Sequence, residues 1–286
     1  MKIIKHCLII LLAFLVKIIY PQDIDIGIFG GGSYYLGELN PGRQFLMTNP
    51  AYGGLIRFNL NDRMAFRGEL IHGVVSGDDA VSKENELRNL RFTSTINELS
   101  VLFEFNYLEY FTGSQIHYFS PFLYCGPALF TFNPKAKFRN EWILLRDIGT
   151  EGQMINENDN RYNLISFAFA FGDNRYNLIS FAFAFGIGFR YSFSHRLGFT
   201  AEWGMRKTFT DYLDDISKNY YVDFNNLNPD DISLEKMLSD PSPIKHQPGM
   251  QRGNPQNNDW YSFVGITLTY RFTIGEKTTC VEFQNR

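Results

Sequence analysis

Large apolar residues recur at every second position from Phe181 to Arg206, in the stretch FAFAFGIGFRYSFSHRLGFTAEWGMR. In its first half the apolar positions are Phe181, Phe183, Phe185, Ile187, Phe189, Tyr191 and Phe193, set against alanine, glycine, Arg190 and Ser192. In its second half Leu197, Phe199, Ala201, Trp203 and Met205 alternate with Gly198, Thr200, Glu202, Gly204 and Arg206. A period of two predicts two strands, and Ser194-His195-Arg196 between them is long enough only for a hairpin turn. Glycine, threonine, Arg190, Glu202 and Arg206 on one face would make a poor core in water. With lipid against the aromatic face and the polar face lining a lumen, the pattern is that of a membrane barrel.

The same alternation predicts six further strands. Asp23 to Leu36 places Ile24, Ile26 and Ile28 outward and Asp25, Gly27 and Phe29 inward. Ala51 to Leu60 places Ile56 and Phe58 outward and Arg57 inward, and Met64 to Val75 sets Phe66 and Leu70 against Arg67 and Glu69. Thr95 to Tyr107 sets Leu99, Val101, Phe103 and Phe105 against Glu98, Ser100 and Glu104. In Tyr118 to Phe132, Pro121 and Pro127 weaken the strand or imply a bulge. Trp260 to Phe272 points Ile266, Leu268, Tyr270 and Phe272 outward and Gly265, Thr267, Thr269 and Arg271 inward.

The connections between these strands alternate between long and short. Asn61-Asp62-Arg63, the modest Glu109 to Gln115 segment and Ser194-His195-Arg196 are the short ones, and Ser76 to Thr93, Asn133 to Asn160 and Asp211 to Asn258 read as long loops. The last contains a candidate helix near Ser233 to Leu238. An eight-stranded antiparallel transmembrane β-barrel with short periplasmic turns, long extracellular loops and both termini periplasmic follows. One irregularity stands out: DNRYNLISFAFAFG at Asp159 to Gly172 is repeated unchanged at Asp173 to Gly186. Fourteen is an even step, so the second copy keeps the face pattern and is the expected strand, with the first extending the preceding loop.

Composition narrows the class. The chain has 286 residues, 16% of them aromatic, and a net charge of −3, so no basic excess points to nucleic acid. Lys2 and Lys5 precede the apolar run CLIILLAFLV, which predicts a signal peptide over 1–22, a barrel over 23–272 and a periplasmic tail over 273–286. That run is too short to span a bilayer as a helix. The three cysteines, Cys7, Cys125 and Cys280, do not form a disulfide scaffold pattern.

The predicted inward set contains Asp25, Glu69, Glu98, Glu104 and Glu202 together with Arg57, Arg67, Arg190, Arg206 and Arg271. An eight-stranded barrel is just wide enough to be filled by its side chains, and unpaired charges there cost several kcal/mol each. A balanced, structural charge network and a plugged barrel are therefore expected, with no catalytic residue, metal or cofactor assigned. His246 reads as alone in a Pro-rich loop, and no loop supplies a nucleophile, histidine and carboxylate set. Gly77-Asp78-Asp79 and the acids Asp214, Asp215, Asp230 and Asp231 read as solvated loop rather than as Ca²⁺ ligands.

Several stretches resemble the PorG family, an outer-membrane barrel of the Bacteroidetes type IX secretion system. They are DIGIFGGGSYYLGELNPGRQF, NPAYGGLIRFNLNDRMAFRGELIHGVVSGDD, FSPFLYCGPALFTFNPKA and EWGMRKTFTDYLDDIS. The resemblance spans nearly all of the chain after residue 22, and NPAYGG through SGDD is its most specific part; the duplication is a departure. It implies a non-enzymatic role in the outer membrane, beside a periplasmic ring of PorK lipoprotein and PorN, in protein export and, in gliding species, motility. Topology then makes Asn61, Asp62, Arg63, Glu109, His195, Arg196, Glu276 and Lys277 the candidate partner contacts. The alternatives are a surface adhesion or ligand-binding barrel acting through the long Asp211 to Asn258 loop, and an outer-membrane enzyme.

Overall fold

The computed structural model describes residues 23–153, 176–228 and 231–273. The expected signal peptide and tail, Cys7, Cys280, Asp230, Glu276, Lys277 and the first copy of the duplicated segment lie outside them. Ten strands form: β1 (Asp23–Leu36), β2 (Asn49–Asn59), β3 (Met64–Asp78), β4 (Arg91–Asn106), β5 (Phe119–Thr131), β6 (Pro134–Phe138), β7 (Glu141–Leu144), β8 (Ile179–Ser192), β9 (Leu197–Thr208) and β10 (Trp260–Thr273). Among the described residues three short helices accompany them: α1 (Asp79–Ser82), α2 (Leu145–Ile148) and α3 (Leu234–Ser239).

Eight of the strands close into an antiparallel barrel. Neighbours pair in the order β3-β2-β1-β10-β9-β8-β5-β4, and β4 returns to β3. The seam between the first and last strands is unbroken from Asp23 opposite Thr273 to Leu36 opposite Trp260. Closure leaves the eight barrel strands without an open edge, which is what lets strands cross a lipid phase with their backbone groups paired. Alternation then decides the faces. Ile28 is 76% and Leu70 62% exposed on the outer wall, while Arg57 is 1% and Arg67 0% exposed inside. A soluble protein rarely carries so extensive an apolar exterior.

The outer face also records where the apolar band stops. Above Leu70, Leu99 and Leu129 the outward positions become His72, Asn97 and Thr131, which sit opposite one another across β3, β4 and β5. His72 Nδ1 lies 2.7 Å from Asn97 Oδ1 and its ring lies over Tyr52. At the opposite end Tyr118 packs edge-on against Tyr191, and Tyr270 packs at a tilt against Phe272, an interfacial aromatic belt.

Four expectations from the sequence need correction. Ser76 to Thr93 is not a solvated loop: β3 and β4 keep pairing to Asp78 opposite Arg91, and α1 sits at the tip with Asp78 accepting from the Ala80 N–H at 2.9 Å. Asp79 is buried because Arg88 binds both of its oxygens, at 2.7 and 2.8 Å. The described part of Asn133 to Asn160 forms the β6-β7 hairpin and α2, with β6 paired to the extended end of β4. Pro121 and Pro127 cause no bulge, since β5 keeps one register with β8 from Phe119 to Thr131; only the ladder to β4 is interrupted opposite Gly126 and Pro127. There a Cβ on Gly126 would lie 2.1 Å from the Val101 carbonyl oxygen, so the strands approach too closely for any side chain.

Finally, the long segment after β9 packs down as a cap. Leu213, Ile216, Tyr220, Val222 and Leu238 are buried in it, and Ser233 caps α3, the helix foreseen there, through the Lys236 N–H.

Candidate functional site

Inside the barrel the inward residues of β1, β2, β3, β4, β8, β9 and β10 converge. Arg57 binds Glu104 at 2.7 Å and Asp25 at 3.6 Å, and Asp25 also takes Arg271 at 2.7 Å. Arg67 reaches Glu202 at 2.5 Å, Glu104 at 3.2 Å and Glu69 at 3.3 Å. Arg190 binds Glu104 and donates to Asn106 at 3.0 Å, and Arg206 binds Glu98 at 3.1 Å. The structure thus brings all ten inward charges named from the sequence into ion pairs.

The spaces between them are filled by rings. Arg190 stacks on Phe122, Arg67 on Tyr124, Arg206 on Phe263 and Arg271 on Phe111, with guanidinium carbons 4.3 to 4.8 Å from the ring centroids. Tyr261 donates to Glu98 at 2.7 Å and Asp23 stands 3.7 Å from Arg271; sequence reading missed both. Their inward facing follows from the alternation, but the partner of Tyr261 lies across the lumen on β4 and that of Asp23 on the neighbouring β10, and no local pattern reveals either.

At the end bearing the start of β1 and the finish of β10, the short connections form one surface. Asn61 Oδ1 accepts from the Arg63 and Met64 N–H groups, fixing the β2-β3 turn. Arg63 pairs with Glu109 at 3.3 Å, and the Asp62 carbonyl accepts the Tyr110 N–H. The 107–118 connection folds inward so that Tyr110 and Thr112 are buried across the barrel mouth. Gly113, at φ 94°, is pressed against His195, and Arg196 donates to the Tyr270 hydroxyl at 3.0 Å. Asn61, Asp62, Arg63, Glu109, His195 and Arg196 therefore share one end.

The opposite end carries the cap, and there the sequence expectations fail. Asp214 and Asp215 are buried rather than solvated. Asp215 accepts from Thr150 and Tyr176, and burial carries its carboxyl up to about 7. Arg252 spans the cap, binding Glu151 at 2.9 Å and the Asp215 carbonyl at 2.6 Å.

His246 is not alone either. It stacks flat on Tyr220 and meets Asp240 and Ser242 at 3.2 Å. Serine, histidine and aspartate together suggest a hydrolytic triad, but the wiring is wrong. Both Ser242 and Asp240 meet the same ring nitrogen, Nδ1, and the Ser242 hydroxyl donates to Asp240 itself. A triad needs one nitrogen for each partner, so that the ring can take the serine proton while the acid holds the other side. This set clasps a loop.

The sequence profile of a domain of unknown function, DUF6089, matches residues 4–142. No curated protein matches the chain. Among solved structures, the N-terminal β-barrel domain of Pseudomonas aeruginosa OprF aligns over 88% of this chain and 98% of its own, at 12% identity and a TM-score of 0.35. Yersinia pestis Ail in complex with sucrose octasulfate aligns over 87% and 98%, at 8% identity and a TM-score of 0.40. Pseudomonas aeruginosa OprG aligns over 87% and 96%, at 11% identity and a TM-score of 0.40. The barrel assignment rests on the closed strand ladder of this chain itself.

Proposed function

We propose that this chain is a non-enzymatic outer-membrane barrel of the PorG type. In this reading it ties the periplasmic ring of a type IX secretion system, made of PorK-like lipoprotein and PorN-like subunits, to the outer membrane during protein export, with a link to gliding where the cell glides. The observation that carries the reading is the filled interior. Every inward carboxylate named from the sequence is held by arginine, so the lumen offers neither a solute path nor a free acid or base, and the work falls to the two ends. The resemblance of NPAYGG through SGDD to the family supplies the partner class. The end bearing Arg63, Glu109, His195 and Arg196 is the face assigned to the ring.

The test is a detergent pull-down of the tagged barrel from its own outer membrane with identification of co-purifying proteins. Recovery of PorK-like and PorN-like proteins is expected. A folded barrel recovered without them would overturn the reading.

The packed cap favours a second reading, a surface ligand-binding barrel. A segment as long as 210–258 that buries its own core is built to present a fixed surface. Deleting it separates the two: a scaffold keeps export, whereas a ligand-binding barrel loses its ligand.

A further inference from the structure

The lumen and the cap treat acidic side chains differently. In the lumen each acid has an arginine, whereas where the cap meets the barrel Glu38, Asp214 and Asp259 converge without one. One carboxylate oxygen from each lies within 4.8 Å of the others. Each residue also commits an oxygen to a backbone N–H: Glu38 Oε1 to Asn254 at 3.0 Å, Asp214 Oδ1 to Ile216 at 2.9 Å and Asp259 Oδ2 to Leu213 at 3.1 Å. The remaining oxygens are Glu38 Oε2, which is buried and has no hydrogen-bond partner, and Asp214 Oδ2 and Asp259 Oδ1, which both face the Tyr35 hydroxyl at 2.5 and 2.9 Å. One hydroxyl has one proton and cannot serve both.

A fourth acid stands beside them. Asp211 is 7% exposed and neither of its oxygens accepts a hydrogen bond. It lies near enough to Glu38 and Asp214 for their charges to act on it. Asp259 feels Asp211 in return. The guanidinium of Arg88, close by, is held elsewhere: Asp79 takes two of its N–H groups, and the Arg252 and Glu38 carbonyls accept two more at 3.0 and 3.2 Å. Among the described residues no ion pair reaches Glu38, Asp211, Asp214 or Asp259.

We infer that Glu38, Asp214 and Asp259, with Asp211 beside them, form a binding site for one Ca²⁺ ion that fastens the cap to the barrel. Ca²⁺ takes six to eight oxygen ligands at about 2.3–2.6 Å, so two oxygens on opposite sides of it are at most about 5 Å apart, and the cluster lies within that span. Carboxylates and a phenol oxygen, with no sulfur or imidazole, are the donor set of a hard cation. The ligands come from both sides of the seam: Glu38 follows β1, Asp214 lies in the cap and Asp259 immediately precedes β10. The ion would supply the positive charge that arginine supplies in the lumen.

The full-length barrel, refolded in detergent, stripped with chelator and titrated with CaCl₂ by calorimetry, tests this. One saturable site per chain is expected, with the affinity of an extracellular module, about 10⁻⁴ to 10⁻³ M. Asp214→Asn combined with Asp259→Asn should abolish it, and Asp211→Asn should weaken it at least several-fold. Calcium should also slow proteolysis of wild type within 210–258, a readout that needs no variant to fold. No saturable binding to a folded wild-type barrel up to about 10 mM CaCl₂, an order above that range, would overturn the inference. So would unchanged binding in folded Asp214→Asn/Asp259→Asn protein, or wild-type binding that leaves proteolysis of the cap unaltered.

Discussion

Arg67 on β3 and Glu202 on β9, 135 residues apart in the chain, meet at 2.5 Å across the barrel interior. β3 and β9 are not neighbours in the sheet, so the pair forms only when the barrel closes. Each charge was placed inward by local alternation, but its partner was chosen by the diameter of the closed sheet. This pair, those of Arg57 and Arg190 with Glu104, and that of Arg206 with Glu98 tie strands that share no backbone hydrogen bond.

Truncating Arg67 to alanine leaves Glu69 and Glu202 without their arginine and should cost about 3–5 kcal/mol. The loss is read as a lower urea midpoint, using the different gel mobility of folded and unfolded barrel. Glu69→Gln should cost less than about 1 kcal/mol, because neither Glu69 oxygen accepts a hydrogen bond. Equal losses for the two variants would show that the network is not what Arg67 supports.

Gly126→Ala should destabilise by about 1–3 kcal/mol, since the new methyl would meet the Val101 carbonyl oxygen on β4. Gly30→Ala has nothing within 4 Å and should change stability by less than about 0.5 kcal/mol. The same urea assay compares them, and a tolerated Gly126→Ala would contradict the close approach of β4 and β5.

Wild-type barrel inserted into a planar bilayer should show no steady conductance, because arginines and aromatic rings occupy the lumen. Discrete, reproducible current steps from folded protein would refute a filled interior.

Arg63 and Glu109 are about half exposed, so alanine at either should alter stability by no more than about 1 kcal/mol. Charge reversal at Arg63, combined with alanine at His195 and Arg196, should nevertheless reduce co-purification of ring proteins several-fold. If ring recovery survived every substitution at this end and fell on deletion of 210–258, the face assigned to the ring would be the wrong one.

Asp240 links pH to the order of the cap. Burial opposes its ionisation, but hydrogen bonds from the His246 N–H, Ser242 and the His246 ring outweigh that and hold its carboxyl below the ordinary value of 3.8. A carboxyl lowered by folding contributes stability above its unfolded value, and that contribution is lost as pH falls through the folded one. Cleavage within 240–250 by an acid-active protease should therefore stay slow at pH 5 and accelerate below about pH 4. Asp240→Asn should remove that dependence.

The sequence by itself determined the membrane-barrel architecture, the approximate bounds of the eight barrel strands and the ten inward charges. These follow from a period of two, and a period is a property of neighbours along the chain: once β8 shows large apolar residues at every odd position, Arg190 must point the other way. What only the tertiary structure decided is everything that needs two distant segments at once. β3 and β4 outrun the apolar band because they pair with each other, although Ser76, Gly77 and Asp78 carry no outward hydrophobic signal. Asp214 and Asp215 look like solvated loop acids and are buried because the cap folds onto the barrel mouth. His246 has partners because residues 240–246 turn back on themselves and lay its ring on Tyr220. Side-chain direction is fixed locally by backbone geometry, whereas burial and pairing in an aperiodic loop depend on which surface lies opposite, and that surface exists only after the strands have closed.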